Sequence, residues 1–222
     1  GLSGDALAAY LKPFNITPVL QAGALSMKAR ASLRQVDDAL RLAVGVTDLR
    51  YTGGAQTLMS AGSFGINDIS IENSQIVVGD VTLNNAEVTA SREADGSLVA
   101  AGFKWTPPAT PSVPAVKQAA LGPVNLLELP FVATLNSMKL DDARFIWTDA
   151  TTPTPVSVRA TLSSTLNTLT LGKDAPPATF EATLVVDDTF DRLHARGSAL
   201  TTPARQRLNV SVDGSGLRAD VR

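Results

Sequence analysis

The sequence predicts a mainly β protein built from long antiparallel meander sheets, and two observations carry that prediction. Apolar and polar residues alternate from Phe64 to Leu98, through Ile69 and Ile71, Ile76 and Val78, Val81 and Leu83, then Ala86, Val88 and Ala90. A period of two sends successive side chains to opposite faces of a strand, so each run has one apolar and one polar face. The same alternation returns beyond residue 131, with similar short polar breaks.

In chain order, Ser3 to Lys12 is the best helix candidate, with Leu7, Tyr10 and Leu11 on one face and Pro13 beyond its end. So short a helix is marginal alone and is expected to dock as a cap on the sheet. Val19 to Val36 carries Leu25, Met27, Ala29, Ala31 and Leu33 in one phase. After Asp37-Asp38 the run Leu40, Leu42, Val44 and Val46 alternates again, and Gly53-Gly54 breaks it. Within 64–98, Glu72-Asn73-Ser74, Gly79-Asp80, Asn84-Asn85 and Ala94-Asp95-Gly96 read as short polar turns that separate runs or shift their phase. A strand over Leu98 to Trp105 closes a first module of about five strands, several longer than the common five or six residues.

Thr106 to Pro123 holds five prolines and a helical turn candidate at Val116 to Leu121. Proline removes ladder donors, so this stretch reads as a linker or crossover. The domain reading is therefore residues 1–105 as a helix plus β-meander, 106–123 as the linker and 124–222 as a second β-meander. In the second, Phe131 to Leu135, Met138 and Leu140 meet Asp141-Asp142, read as a turn, before Ala143, Phe145 and Trp147. Val156, Val158, Ala160 and Leu162 begin the next run, continued by Leu166, Leu169 and Leu171. After Ala175-Pro176-Pro177 come Phe180, Ala182, Leu184 and Val186, then Leu193, Ala195 and Gly197, and lastly Leu208, Val210 and Val212. The recurrence is a weak internal repeat of roughly 90 residues, long for a simple solenoid.

Composition narrows the functions. Charged residues make up 18% of the 222, against roughly 25% in typical soluble domains, while apolar residues make up 44% and aromatics only 5%. The apolar surface is thus aliphatic. A net charge of −2 with no basic run disfavours nucleic acid as a partner. Cysteine is absent, which removes disulfides, thiol chemistry and Cys-based metal sites. No run of about 18 apolar residues is present to span a membrane as a helix. The opening residues lack the basic and apolar regions of a signal peptide. The chain reads as a piece of a longer protein, with any anchor or export signal outside it.

No constellation of reactive groups stands out. His194, the sole histidine, has no second His or Cys to share a metal, and the plainer reading is a structural residue in a strand. No G-x-S-x-G elbow accompanies the many serines. Asp187, Asp188 and Asp191 offer oxygen ligands, yet their spacing is not that of an EF-hand, and acidic turn residues explain them better. Gly53-Gly54 and Gly214-Ser215-Gly216 are turn signals without a following amphipathic helix. The triplets at Asn15 and Asn209 match glycosylation sequons, but such triplets occur often by chance. Phe103, Trp105, Phe145 and Trp147 end comparable strands in the two modules; a sugar platform would use such rings, but core burial is the plainer reading. An enzyme is disfavoured, and no cofactor or metal is expected.

Several stretches resemble one family. Leu7, Tyr10 and Leu11 before Pro13, then Leu20, Gly23, Leu25 and Met27, are similar to the start of AsmA-like, TamB-related bacterial envelope proteins. The Phe131 to Leu171 phrase, with Asp142-Ala143, Phe145, Asp149 and Pro155-Val156 in order, resembles their repeating unit, as does the stretch from Ser74 to Leu98. The resemblance implies an elongated sheet curled into an open, apolar-lined groove (β-taco-like). It also implies transport of phospholipid between bacterial membranes in outer-membrane biogenesis. It places the chain in the periplasm, as part of an inner-membrane-anchored protein, beside neighbouring repeats and membrane-embedded envelope proteins.

Two readings of the apolar face follow. In the first it holds phospholipid or another acyl-chain lipid; at about 25 cal/mol per Å², a tail's few hundred Å² gives several kcal/mol without any specific residue. The groove candidates are Ile69, Ile71, Ile76, Val78, Val81, Leu83, Ala143, Phe145, Val156, Val158, Leu184 and Val186. In the second the same residues pack on one another in a β-sandwich or barrel used for adhesion, carbohydrate binding or scaffolding.

Overall fold

The computed structural model describes residues 11, 14–19, 23–36, 39–72, 75–107, 132–171, 175–202 and 205–218. Of these, 81% lie in strands, and all thirteen strands belong to one sheet. They are β1 (Ile16–Pro18), β2 (Gly23–Val36), β3 (Ala39–Gly53), β4 (Gln56–Glu72), β5 (Gln75–Asn84), β6 (Glu87–Arg92), β7 (Leu98–Ala100), β8 (Phe103–Trp105), β9 (Val132–Asp149), β10 (Val156–Leu171), β11 (Ala178–Val186), β12 (Phe190–Thr202) and β13 (Arg205–Ser215). The helix expected over Ser3 to Lys12 is not supported; apart from Leu11, which is helical, it lies outside the described residues. So do Asp37-Asp38, Asn73-Ser74 and the helical turn expected at Val116 to Leu121.

β2, β3 and β4 form an antiparallel meander. β5 and β6 then run as one interrupted strand: β5 pairs with the C-terminal half of β4, and β6 touches β4 at Met59 and Ser60. Where β4 ends, β6 pairs with β7, and β7, β8 and β1 continue as a short side branch. The second meander, β9 to β13, is antiparallel throughout. The sheet as a whole is mixed, because β9 lies parallel to both β5 and β6. A pure meander is what consecutive alternating runs suggest; the parallel seam arises because the stretch between β8 and β9 separates the two meanders in sequence.

Of the breaks expected as turns, Gly79-Asp80 and Asp141-Asp142 lie inside strands, while Asn85 lies in the short gap between β5 and β6. Asp48, Asp68, Asn85, Asp142 and Thr168 all have φ between 50° and 58°, the left-handed region that Asp and Asn tolerate best. Each precedes the residue at which an apolar run resumes after a three-residue step: Val46 to Leu49, Ile66 to Ile69, Leu83 to Ala86, Leu140 to Ala143 and Leu166 to Leu169. A strand that kept strict alternation would send the resumed run to the polar face. The bulge conformation resets the phase, so the strand continues at up to 18 residues with its apolar side chains on one face. Asp141-Asp142 is thus a bulge in β9, with the Asp142 N–H donated to Ser163 Oγ at 3.1 Å, and not a turn. Gly79-Asp80 likewise lies within β5. The run from Leu98 to Trp105, expected as one strand, is the hairpin β7–β8, turned at Ala101 and Gly102 with φ of 47° and 80°.

The hairpin between β6 and β7 is a true turn. Asp95 accepts from the Ser97 N–H at 2.9 Å, from the Ser97 hydroxyl, and from Lys104 Nζ at 2.8 Å. These donors hold its carboxyl well below the usual range, Lys104 contributing most. Ser97 is wholly buried in this turn. Asp149 closes the β9–β10 connection similarly: the Thr151 hydroxyl and N–H bond it at 2.6 and 2.9 Å and lower its pKa, with Arg92 adding a smaller charge effect.

Candidate functional site

Residues opposed across a ladder share a face, so the register assigns both faces. One row crosses nine strands from β2 to β13: Ala31, Val44, Ile66, Val81, Met138, Leu166, Phe180, Gly197 and Val210. Every member is apolar. One residue away, the row on the opposite face is Arg30, Gly45, Gly65, Thr82, Lys139, Thr165, Glu181, Arg196 and Ser211. At about 4.8 Å between strands, the apolar row spans roughly 38 Å. The Phe180 ring lies over Gly197, where an added Cβ would come within 2.8 Å of Cζ. A backbone gap in the apolar surface is thereby covered.

All twelve groove candidates fall on this apolar face. Ile71 faces Ile76, and Ile69 faces Val78. Val81 and Leu83 lie between Ile66 and Phe64 on one side and Met138 and Leu140 on the other. Val158 opposes Trp147, while Ala143 and Leu184 both oppose Leu162. Phe145 and Val186 both oppose Ala160, and Val156 opposes Asp149 at the rim. None of the twelve is buried. Sequence reasoning left out equivalent residues on the outer strands, among them Leu25, Met27 and Leu33 of β2, Leu40 and Leu42 of β3, and Leu208, Val210 and Val212 of β13. Their alternation is just as plain, but their lateral alignment with the centre is set by register.

No second layer covers this face among the described residues. Among the described residues the buried hydrophobic side chains are five alanines: Ala39, Ala61, Ala90, Ala175 and Ala178. Eleven large apolar side chains on the face (Leu25, Met27, Leu33, Leu40, Ile71, Met138, Phe145, Val156, Leu208, Val210, Val212) are 38–67% exposed. The core burial expected for the aromatic residues is not found. Phe145 is 43% exposed, and Trp147, Phe103 and Trp105 are half-buried. Phe145 and Trp147 stack with centroids 6.2 Å apart on the apolar face.

The polar face carries Ser, Thr and exposed ion pairs. Asp48 accepts from Lys28 at 2.8 Å, which raises the Lys28 pKa. Asp68 pairs with Arg41 at 2.8 Å and Asp142 with Arg144 at 2.7 Å. Three bulge aspartates are thus neutralised by a cation on the same or a neighbouring strand. Such exposed pairs, screened by water, add little to stability.

His194 sits on this face, with Nδ1 3.2 Å from the Thr183 hydroxyl and Nε2 3.4 Å from Glu181 Oε1. Glu181 is mostly exposed, and the three side chains form a cross-strand cluster on adjacent strands. Among the described residues, no group of three or more His, Cys, Asp or Glu is placed to hold a metal. Asp188 and Asp191 are bridged by Arg218, at 3.4 and 2.7 Å, and the Arg218 N–H reaches Thr189 O at 2.9 Å. A guanidinium therefore sits where a cation would.

Among the described residues no helix is long and apolar enough to cross a membrane. Compared with known proteins, the chain matches no family model and no curated sequence.

Proposed function

We infer that the chain is a non-enzymatic lipid-binding segment whose apolar sheet face holds the acyl chains of phospholipid or a related lipid. The observation that supports this reading is the face itself, which no second layer covers among the described residues, apolar across nine strands and backed by a face of Ser, Thr and charged residues. Its eleven exposed large side chains average about half exposed, equivalent to about six fully exposed ones. At about 1.5–3 kcal/mol per large side chain, covering them with hydrocarbon is worth on the order of 10 kcal/mol before the costs of binding. Monomeric soluble proteins rarely leave apolar patches beyond a few hundred Å² without a partner.

Acyl chains suit such a surface because it is broad and has few polar groups to impose orientation. The bulges that keep one face apolar also add local twist, which coils a long sheet toward a trough. Together with the AsmA-like resemblance, this favours a periplasmic segment of an inner-membrane-anchored envelope protein that carries phospholipid along its sheet.

Native mass spectrometry of protein purified without detergent tests the reading. Co-purified phospholipid, lost in Leu83→Asp and Val158→Asp variants that remain folded by circular dichroism, is the expected result. A lipid-free, monodisperse apoprotein would favour the self-packed scaffold instead.

A further inference from the structure

We propose that β13 is a self-complementary edge through which two copies of this chain join into one continuous sheet. Among the described residues, β13 pairs with β12 alone, leaving the outward-pointing backbone donors and acceptors of this eleven-residue strand, about every second residue, free. Residues 216–218 do not cover that side: Gly216 turns the chain at φ 72°, and the Arg218 N–H bonds Thr189 in the β11–β12 hairpin. A free edge of this length is a template for another strand.

The sequence of β13, RQRLNVSVDGS, selects the partner. Antiparallel pairing about a two-fold axis at Val210, the central residue, opposes the whole strand with itself. On the apolar face Val210 then meets the partner's Val210, and Leu208 meets the partner's Val212. On the polar face Asn209 meets the partner's Ser211, and Arg207 meets the partner's Asp213. The last opposition occurs twice, giving two ion pairs of opposite sign directly across the seam. The Arg207 and Asp213 side chains make no hydrogen bond or ion pair with another described residue of their own chain. The two-fold axis is normal to the sheet, so the apolar row of one copy continues into that of the other.

The opposite edge, β2, lacks this property. Its polar face carries Lys28, Arg30 and Arg34 with no acid, so β2 opposed to β2 sets like charges against each other. The interaction is thus closed, a dimer and not a fibre. It does not depend on what the apolar face binds.

Sedimentation velocity over a micromolar dilution series tests it with a charge swap. Arg207→Asp places acid against acid, and Asp213→Arg places base against base. Each variant alone is expected to dimerise at least about tenfold more weakly than the wild-type chain. An equimolar mixture of the two restores complementary pairs at both ends and recovers the dimer, as does Arg207→Asp with Asp213→Arg in one chain. Both side chains are exposed, so the fold is retained. A monomeric wild-type chain throughout the series overturns the proposal, and so does a dimer that neither single substitution weakens.

Discussion

Ile71 and Ser70 are neighbours on β4 that point to opposite faces, which makes them a matched pair for testing the apolar face. Ile71 is opposed by Leu40 and Ile76 and remains 62% exposed. An Ile71→Asp substitution therefore removes little burial from the folded chain, and its charge stays hydrated when no lipid is bound. Fully covering an aliphatic side chain is worth about 1.5–3 kcal/mol, so the uncovered part of Ile71 offers an acyl chain about 1–2 kcal/mol. Its loss alone weakens binding roughly 5- to 30-fold, and desolvating the new carboxylate adds to that. Ser70→Asp introduces the same charge on the polar face, directly opposite Arg41, and leaves the apolar contact intact. Titration with a fluorescent fatty acid, alongside thermal melts by circular dichroism, reads both. Ile71→Asp is expected to melt near the wild-type temperature and bind at least fivefold more weakly, while Ser70→Asp binds normally. Equal loss in the two variants, or no loss in Ile71→Asp, would refute the assignment of faces to lipid and solvent.

Three further outcomes follow from local geometry. Gly197→Ala places a Cβ against Asn209 O and 2.8 Å from the Phe180 ring. It is expected to cost about 1–3 kcal/mol in urea unfolding, as overpacking does. Asp142→Val forces a β-branched residue into φ 52° and is expected to cost about 1–2 kcal/mol, whereas Asp142→Gly stays near the wild-type value in the same assay. Asp95 and Asp149 have lowered carboxyl pKa values in the folded chain, so the stability they contribute is present above the unfolded value of about 3.9 and lost as pH falls toward the folded values. The melting temperature is expected to fall below about pH 4, less steeply in Asp95→Asn, and an unchanged slope in that variant would dismiss the role given to Asp95.

Much of the architecture was legible in the sequence because a two-residue period is a direct imprint of a half-covered strand. The apolar residues of β2, β3, β10 and β13 could be read off one by one. What the alternation could not convey was the meaning of its interruptions. Asp142 within β9 and Asp95 between β6 and β7 are both acidic residues at a break in a run, yet one is a bulge in a continuous strand and the other closes a hairpin. Local sequence does not separate these because the outcome depends on whether the neighbouring strand continues past the break. Ser163 of β10 continues past Asp142 and receives its N–H. The parallel seam of β5 and β6 with β9 was illegible for a related reason, since strand order depends on contacts between residues some 57 positions apart.

The candidate face was legible in kind and incomplete in extent. All twelve residues chosen from the alternation share one face, since bulges restore the phase after each break. Burial of Phe145 and Trp147 was the wrong expectation, because a large ring implies a core only where a second layer exists to supply one.

The most direct test is photo-crosslinking with a diazirine-bearing fatty acid, followed by peptide mapping of the adducts. The account predicts saturable labelling that falls on the apolar row and its neighbours, such as Ile66, Val81, Met138 and Leu166, and spares Arg30, Thr82, Lys139 and Thr165. Labelling spread evenly over both faces, or concentrated on the polar one, would contradict it.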